Sequence, residues 1–556
     1  MESLSNSPTV SNITLMTVKI GMMADPRLKK WYSQVNGTDA DRKVHVAVME
    51  SESFLSESSD LSYLYNEMSK IRDLDVIDQF KFTFNRFMIP YERLLIQSLE
   101  IAEVLNGKVI NIVPLEERLQ KLAKTPQKGV KRFMRIRNDP SETLFDQAVV
   151  DFALISMQAI VAGGNIPCTK IYAAYFRQFM FHYPAISVAS MDYFTTYPKR
   201  LIMPFKALKD LFFITEYMAG LGSYFEMEEL GKSDYSCALI QTTSFGFEYA
   251  SSNVQQFGAF LVGPFINDNH IANEIDHLKQ LAGTSNEVSN KWTETSGYEG
   301  FFEWVDEQQD IMLMILGSTM VLDDNIMAKL IKGLQIALQE NPNISIITAF
   351  GHINMDLFEK LAQTNAPLVQ SVLNNKRFKL LKGFVPQKAL MSIEKVKIFF
   401  THCGANSVNE ALYFGKLLIG FPYAFDQWKV AHTIEEFQLG RAIYKSREES
   451  MVWKSESISQ AIHELLYNEE KRELYKTKAR HTKSLMRRSG GVKRAAEIVE
   501  MVSEVDGDLS WKIADKHLTW WQYYCLDIVL VYSFLMYLVV KLACLLCCNR
   551  RKVKKE

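Results

Sequence analysis

Apolar positions fall into short runs with a regular rhythm in the second half of the chain and a weaker one in the first. Beyond residue 300 the pattern predicts strands over 311–316, 344–348, 378–381, 398–401 and 417–421. Helices are expected over 324–340, 355–363, 406–414 and 432–438. Strands that are apolar throughout and alternate with helices are the mark of a doubly wound parallel sheet covered on both faces. In the first half, 13–18 and 44–49 read as short strands, and 148–155 reads as a buried strand running into a helix. Two more short apolar runs, 238–243 and 258–262, end at Gly263-Pro264, which closes a unit.

Between the two halves, 267–300 turns polar, rich in Asn, Asp, Glu, Ser and Thr, and reads as a linker. With 556 residues, the chain exceeds one compact domain. The expected organisation is an N-terminal domain over 1–266, the linker, a C-terminal domain over 301–519, an apolar segment over 520–548 and a basic tail over 549–556. The stretch 172–225 is dense in aromatics, suited to lining an apolar pocket, to resting on a membrane surface or to filling ordinary core helices.

The apolar segment is long enough to cross the ~30 Å hydrocarbon core of a bilayer at ~1.5 Å per residue. Asp527 and Lys541 interrupt it but lie near opposite ends, where each side chain reaches toward a polar face. Trp520, Trp521, Tyr523 and Tyr524 form an aromatic belt. The basic residues from Arg550 to Lys555 place the tail in the cytoplasm and the body on the far side. Lys552 and Lys554 have the spacing of a dilysine retrieval signal for the endoplasmic reticulum, although a basic flank alone accounts for them. Asn12, Asn36 and Asn343 head glycosylation sequons that fit a lumenal body. Residues 1–23, by contrast, lack the charged start and apolar core of a signal peptide.

The formal net charge of −1 supplies no electrostatic case for nucleic acid. Seven cysteines, four of them in or beside the last apolar segment, exclude a disulfide-built module, and none has metal-ligand spacing. Cys544, Cys547 and Cys548 suit palmitoylation or plain apolar packing.

The richest chemistry lies in Gly383-Phe-Val-Pro-Gln-Lys-Ala-Leu, in Phe399-Phe-Thr-His-Cys-Gly-Ala-Asn-Ser-Val-Asn-Glu and in Gly420-Phe-Pro-Tyr-Ala-Phe-Asp-Gln. A strand ending at Thr401 enters a helix through a tight loop at Gly404. The small residues there let a ligand approach the backbone, and the N–H groups opening the helix meet it with the positive end of the dipole. That is a cradle for a diphosphate. His402 adds a donor at the strand end. Glu410 lies one turn past Asn406, placed to accept from ribose hydroxyls. Phe384 offers a stacking face for a planar base and Gln387 an amide edge, while Asp426 and Gln427 suit sugar hydroxyls.

This order of loops, strands and helices resembles the signature of UDP-glycosyltransferases of the glucuronosyltransferase family. The resemblance extends to Leu316-Gly-Ser, to Phe145-Asp-Gln-Ala-Val-Val-Asp and to the tail from His517, which points to the animal-type, single-span branch. It implies an α/β fold of GT-B type: two facing Rossmann-like domains, with C-terminal helices returning at the end of the second and a transmembrane helix after it. The C-terminal domain would bind a UDP-sugar, with Ser318, His402, Gly404, Asn406 and Ser407 at phosphate. Phe384, Gln387 and Glu410 would hold uridine, and Asp426 and Gln427 the sugar. A small lipophilic acceptor would occupy the N-terminal domain. No metal and no cofactor are implied, since the UDP-sugar is a co-substrate and the helix N-terminus with histidine neutralises the diphosphate. The resemblance also implies the lipid bilayer and a homo- or hetero-oligomer as partners.

Two residues depart from the family pattern: Phe384 stands where Trp is usual, and the region of Ala349 lacks an expected arginine. A third departure touches catalysis. The family's base is a histidine in the loop after the first strand, oriented by an aspartate. Asp151 stands in the aspartate's place, where it could equally cap the next helix. Lys19-Ile-Gly-Met-Met-Ala holds no histidine, and His45 falls within the second strand. Three explanations follow: a catalytically degenerate member, an alternative or mispredicted first exon, or another group acting as base.

Overall fold

The computed structural model describes residues 13–18, 44–49, 102–105, 108–112, 147–151, 167–172, 237–243, 259–266, 268–283, 297–317, 320–382, 385–505 and 526–553. Lys70, Leu74, Asp78, Gln79, Phe205 and Gly507 are described as single positions.

In the first half, β1 (Ile13–Val18) and β2 (Val44–Met49) pair in parallel, and β3 (Ala102–Leu105) and β4 (Lys108–Ile112) form an antiparallel pair. A four-stranded parallel sheet follows in chain order: β5 (Ala148–Asp151), β6 (Cys168–Tyr172), β7 (Cys237–Gln241) and β8 (Ala259–Leu261). Cys168 is buried and disulfide-bonded, and its backbone is in register with Cys237.

Within the polar segment 267–300 lies a helix, α1 (Asp268–Gly283). Ile271, Ile275 and Leu278 recur along it at spacings of four and three and pack on the core of the second half. The chain continues through α2 (Phe301–Glu307), β9 (Asp310–Ile315), α3 (Asp324–Glu340), β10 (Ile344–Phe350), α4 (His352–Thr364), α5 (Ala366–Leu373) and β11 (Phe378–Lys382). It then forms α6 (Gln387–Ser392), β12 (Val396–Thr401), α7 (Ala405–Phe414), β13 (Leu417–Gly420), α8 (Gln427–Glu436) and β14 (Gly440–Ala442). All six strands are parallel, in the order β11-β10-β9-β12-β13-β14.

Why this sheet holds is visible in β9. Ile311, Leu313 and Ile315 face one core, whereas Met312, Met314 and Leu316 face the other. Leu330, Ile331 and Leu334 of α3 and Val369 of α5 cover the second face, while Val408 and Leu412 of α7 and Val430 and Ile434 of α8 cover the first. The inner strands β9, β10 and β13 are buried on both sides, so their sequences are largely apolar without alternation, whereas the edge strands β11 and β14 are partly exposed. The helix expected over 432–438 begins earlier, at Gln427, because Trp428, Val430 and Ala431 are buried and continue its apolar face.

After β14 come α9 (Arg447–Val452), α10 (Glu456–Ile462), a π-helical turn (His463–Tyr467), α11 (Arg472–Arg488) and α12 (Gly491–Glu504). Helix α12 returns to the first half, where Ala495, Ile498, Val499 and Val502 pack on Ala238, Ile240 and Val262. Gln147 Nε2 donates to the Val499 carbonyl at 2.7 Å and Gly491 N to the Val262 carbonyl at 2.6 Å. The last element is α13 (Leu526–Val553). Among the described residues no helix is long and apolar enough to cross a membrane. The side chains of 520–525 and 544–548, which belong to the expected span, lie outside the described residues.

Candidate functional site

The strand order is that of a Rossmann sheet, in which successive crossovers leave the central pair toward opposite edges. From β9 the chain moves to β10, and from β12 it moves to β13. The carboxyl ends of β9 and β12, which lie side by side, therefore open a crevice at the topological switch point. Gly317 leaves one of these strands and His402 the other.

His402 is 7% exposed, with its imidazole held against two glycines. A Cβ on Gly317 would stand 2.4 Å from Cε1, and one on Gly404 would stand 2.4 Å from Nε2. Gly317 also has φ +74°, a left-handed conformation that side chains rarely adopt. Burial pushes the imidazole pKa down to about 4, so the ring is neutral near pH 7. Its Nδ1 is buried and has no hydrogen-bond partner among the described residues. A neutral imidazole with an uncommitted nitrogen, in a slot opened by two absent side chains, is a hydrogen-bonding group kept ready for a ligand.

The turn beside it is held by the sequence around Thr401. Cys403 takes φ +65°, its N–H donates to Thr401 Oγ1 at 3.3 Å, and Phe421 N donates to the Thr401 carbonyl at 2.8 Å. Burial raises the Cys403 thiol pKa, so this cysteine stays protonated and unreactive. Gly404 is the N-cap of α7 and brings no side-chain cap, which leaves the opening N–H groups to an incoming acceptor. Asn406 is exposed and Ser407 half-buried on this first turn.

One turn further, Glu410 is more committed than its sequence position suggests. Its Oε2 accepts from Gln387 Nε2 at 2.8 Å, and its Oε1 lies 3.2 Å from Lys388 Nζ. Gln387 Nε2 also reaches Ser407 Oγ at 3.3 Å. Lys388 is shared with Glu274 of α1, which accepts from the Lys388 and Ala389 N–H groups at 3.0 and 3.2 Å. Desolvation lowers the Lys388 pKa, but Glu410 and Glu274 outweigh it and hold the ammonium above its ordinary value. Gln387, Ser407 and Glu410 thus form one hydrogen-bonded group on the flank of α7.

In the loop after β13, the strand next to β12, Gln427 is buried and its Oε1 accepts from Tyr423 N and Ala424 N at 2.8 and 2.9 Å. That oxygen shapes its own loop. Asp426, half-buried at the N-cap position of α8, makes no side-chain cap.

The structure thus brings His402, Gly404, Asn406 and Ser407 to one turn, Gln387 and Glu410 beside it, and Asp426 and Gln427 to the loop that follows the neighbouring strand β13. Ser318 and Phe384 lie outside the described residues. Asp151 ends β5 in register with Ile171, and its side chain also lies outside them. His45 is the second residue of β2, opposite Thr14 and near the amino end of its strand. Ala349 is buried within β10. Among the described residues no group of three or more His, Cys, Asp or Glu could hold a metal ion.

Sequence reasoning did not assign Gly317, Lys388 or Glu274. A glycine directly after a central strand was the available signal for the first. Nothing local links Glu274 to Lys388, which lie 114 residues apart.

Residues 335–556 match the family model described as UDP-glucoronosyl and UDP-glucosyl transferase. The Caenorhabditis elegans protein ugt-48 is 28% identical over 237 residues, 42% of this chain and 41% of its own. Mouse UDP-glucuronosyltransferase 2A3 is 28% identical over 184 residues, 32% of each chain. The crystal structure of Os79 from O. sativa in complex with UDP has a TM-score of 0.47 at 16% identity, covering 70% of this chain and 84% of that one. The chain spans less than half the length of the curated relatives it matches. The stretch similar to UDP-glucoronosyl and UDP-glucosyl transferases thus holds the turn at Gly404, helix α7 behind it and the Asp426-Gln427 loop.

Proposed function

We propose that the protein transfers a sugar, glucuronate or glucose, from a UDP donor to the hydroxyl of a small lipophilic acceptor, with inversion and without a metal. The observation that carries this reading is the slot at the switch point, where neutral His402 and the uncapped N-terminus of α7 converge. Diphosphate there meets backbone N–H groups, a helix dipole and an imidazole donor, which together offset its charge. Glu410 and Gln387 then hold the nucleoside, with Ser318 and Phe384 completing the set that the family resemblance implies. Asp426 and Gln427 take the sugar. The acceptor oxygen bonds to the anomeric carbon as the bond from that carbon to the UDP oxygen breaks, and the acceptor proton passes to a base. In this reading Asp151, the last residue of β5, orients that base, as the family resemblance implies.

In this reading the chain adopts a GT-B arrangement, with α12 tying the second half to the first. Helix α13 anchors it in the endoplasmic reticulum membrane with the basic tail cytoplasmic. Support comes from the exposed apolar side chains at 529–531, 534–536, 538–540 and 542, and from the disulfide at Cys168, which fits an oxidising lumen. Incubation of membranes holding the protein with radiolabelled UDP-glucuronate or UDP-glucose and a panel of phenols tests the transfer. Labelled conjugate is the expected product.

A second reading is favoured by one observation: Lys19-Ile-Gly-Met-Met-Ala offers no histidine after β1. The protein would then hold UDP-sugar without transferring it and act on active family members through oligomerisation. Donor binding by calorimetry with no labelled conjugate selects this alternative.

A further inference from the structure

Gln79 belongs to the first half of the chain yet is 1% exposed, with its side chain committed at both ends. Nε2 donates to the Leu74 carbonyl at 3.2 Å, and Oε1 accepts from the backbone N–H of Phe425 at 2.9 Å. Phe425 is one of three described non-glycine residues with positive φ, at +55°. A bulky side chain keeps that conformation only where its surroundings over-determine it.

The surroundings here are two glutamine oxygens acting on three successive N–H groups. Gln427 takes those of Tyr423 and Ala424, from within the same loop. The third, Phe425, is taken by Gln79 from 346 residues away. The next residue is Asp426. The last peptide before it is therefore fixed by the other half of the chain. A second tie runs parallel, since Asn409 Nδ2 of α7 donates to the Thr242 carbonyl just beyond β7 at 3.0 Å.

We infer that Gln79 is a positioning residue for the donor sugar: by holding the Phe425 peptide, it sets Asp426 in the orientation that meets the sugar hydroxyls. The inference rests on the donor-site reading above and adds to it a residue from the acceptor half. The diphosphate turn lies on α7 and receives nothing from Gln79, so the two parts of the donor should respond differently to its loss.

The test compares the affinities of the full-length protein for UDP and for UDP-glucuronate and UDP-glucose. Gln79→Met keeps the length of the side chain and removes the acceptor. Gln79→Glu keeps an acceptor oxygen and, as a neutral buried acid, a donor. Loss of one net hydrogen bond predicts a weakening of about fivefold toward the preferred UDP-sugar in Gln79→Met, with UDP held within about twofold. Gln79→Glu restores most of the sugar-dependent gain. In steady state, the donor KM rises while the acceptor KM stays. Equal weakening toward UDP and UDP-sugar overturns the inference in favour of a purely structural role, as does no weakening of either. If the parent protein binds no UDP, the donor-site reading falls and this inference with it. Should Gln79→Met fail to fold, hydrogen exchange at the Phe425 amide of the parent decides. Protection raised by UDP-sugar but not by UDP supports the inference, and equal protection by both overturns it.

Discussion

The imidazole of His402 lies so close to Gly404 that a methyl group on that glycine would stand 2.4 Å from Nε2. The side chain at 404 is therefore absent for a packing reason independent of any ligand, and the same absence opens the helix N-terminus. Gly404→Ala forces the ring out of its slot toward the crevice. Overpacking of this kind costs about 1–3 kcal/mol. The expected result is a lower melting temperature and UDP affinity reduced by about tenfold or more in calorimetry. Gly317→Ala meets the ring from the other strand and adds the strain of φ +74°, so it should be the more severe of the two.

Burial of His402 also predicts an acid response. Its folded pKa of about 4 lies below the ordinary value of 6.5. Above 6.5 the ring is neutral in both folded and unfolded chains and contributes no pH dependence. Between 6.5 and 4 the unfolded chain takes up a proton that the folded chain refuses, so stability falls with falling pH. Below about 4 both are protonated and the loss levels off. The full loss amounts to about 3 kcal/mol at ~1.4 kcal/mol per unit. Urea midpoints of parent and His402→Gln at pH 7 and pH 4.5 isolate it. The variant should lack most of the extra decline that the parent shows.

The second half was legible from its pattern because its inner strands are buried on both faces. The uninterrupted apolar runs Ile311-Met-Leu-Met-Ile and Ile398-Phe-Phe announce this without periodicity analysis. Helix α1 was hidden because its apolar residues, Ile271, Ile275 and Leu278, are few and stand among charges. The turn from Thr401 into α7 could be read because it is local: strand end, glycine and helix start are consecutive. What could not be read are the long-range commitments of the same side chains. Glu410 and Gln427 were assigned to ribose and sugar by position, yet part of each is spent on Lys388, Gln387 or the loop backbone. Contacts such as Glu274 with Lys388 depend on which helix covers which face, and no short motif encodes that.

Lys388 lies between two half-buried carboxylates, Glu410 at 3.2 Å and Glu274 at 3.4 Å. Lys388→Met removes the cation while keeping its apolar stem, and leaves two like charges facing each other. Allowing for partial solvent access, destabilisation of about 1–2 kcal/mol is expected in urea unfolding. If Glu410 holds the nucleoside as proposed, UDP binding should also weaken, since Glu410 loses its Lys388 partner. The double variant with Glu274→Gln should recover stability, which a simple loss of packing would not.

Treatment with a chelator separates the proposed donor chemistry from a metal-assisted one. If helix dipole, backbone N–H groups and His402 carry the diphosphate charge, dialysis against EDTA should leave UDP affinity unchanged within about twofold. A drop restored by added magnesium or manganese would mean that the charge is balanced by a cation instead.

The buried bond from Asn409 to the Thr242 carbonyl predicts a structural cost borne by α7. Asn409 is 1% exposed, and its amide reaches the first half of the chain from α7. Asn409→Leu keeps the volume and leaves the Thr242 carbonyl without that donor. An unsatisfied buried acceptor costs about 1–3 kcal/mol, so the urea midpoint should fall by a corresponding amount. The N–H groups that open α7 are untouched by the change. UDP affinity measured under conditions where the variant is fully folded should therefore match the parent. If affinity fell along with stability, the clasp between the halves would be shaping the diphosphate turn itself, and α7 could no longer be treated as a rigid platform set by its own strand.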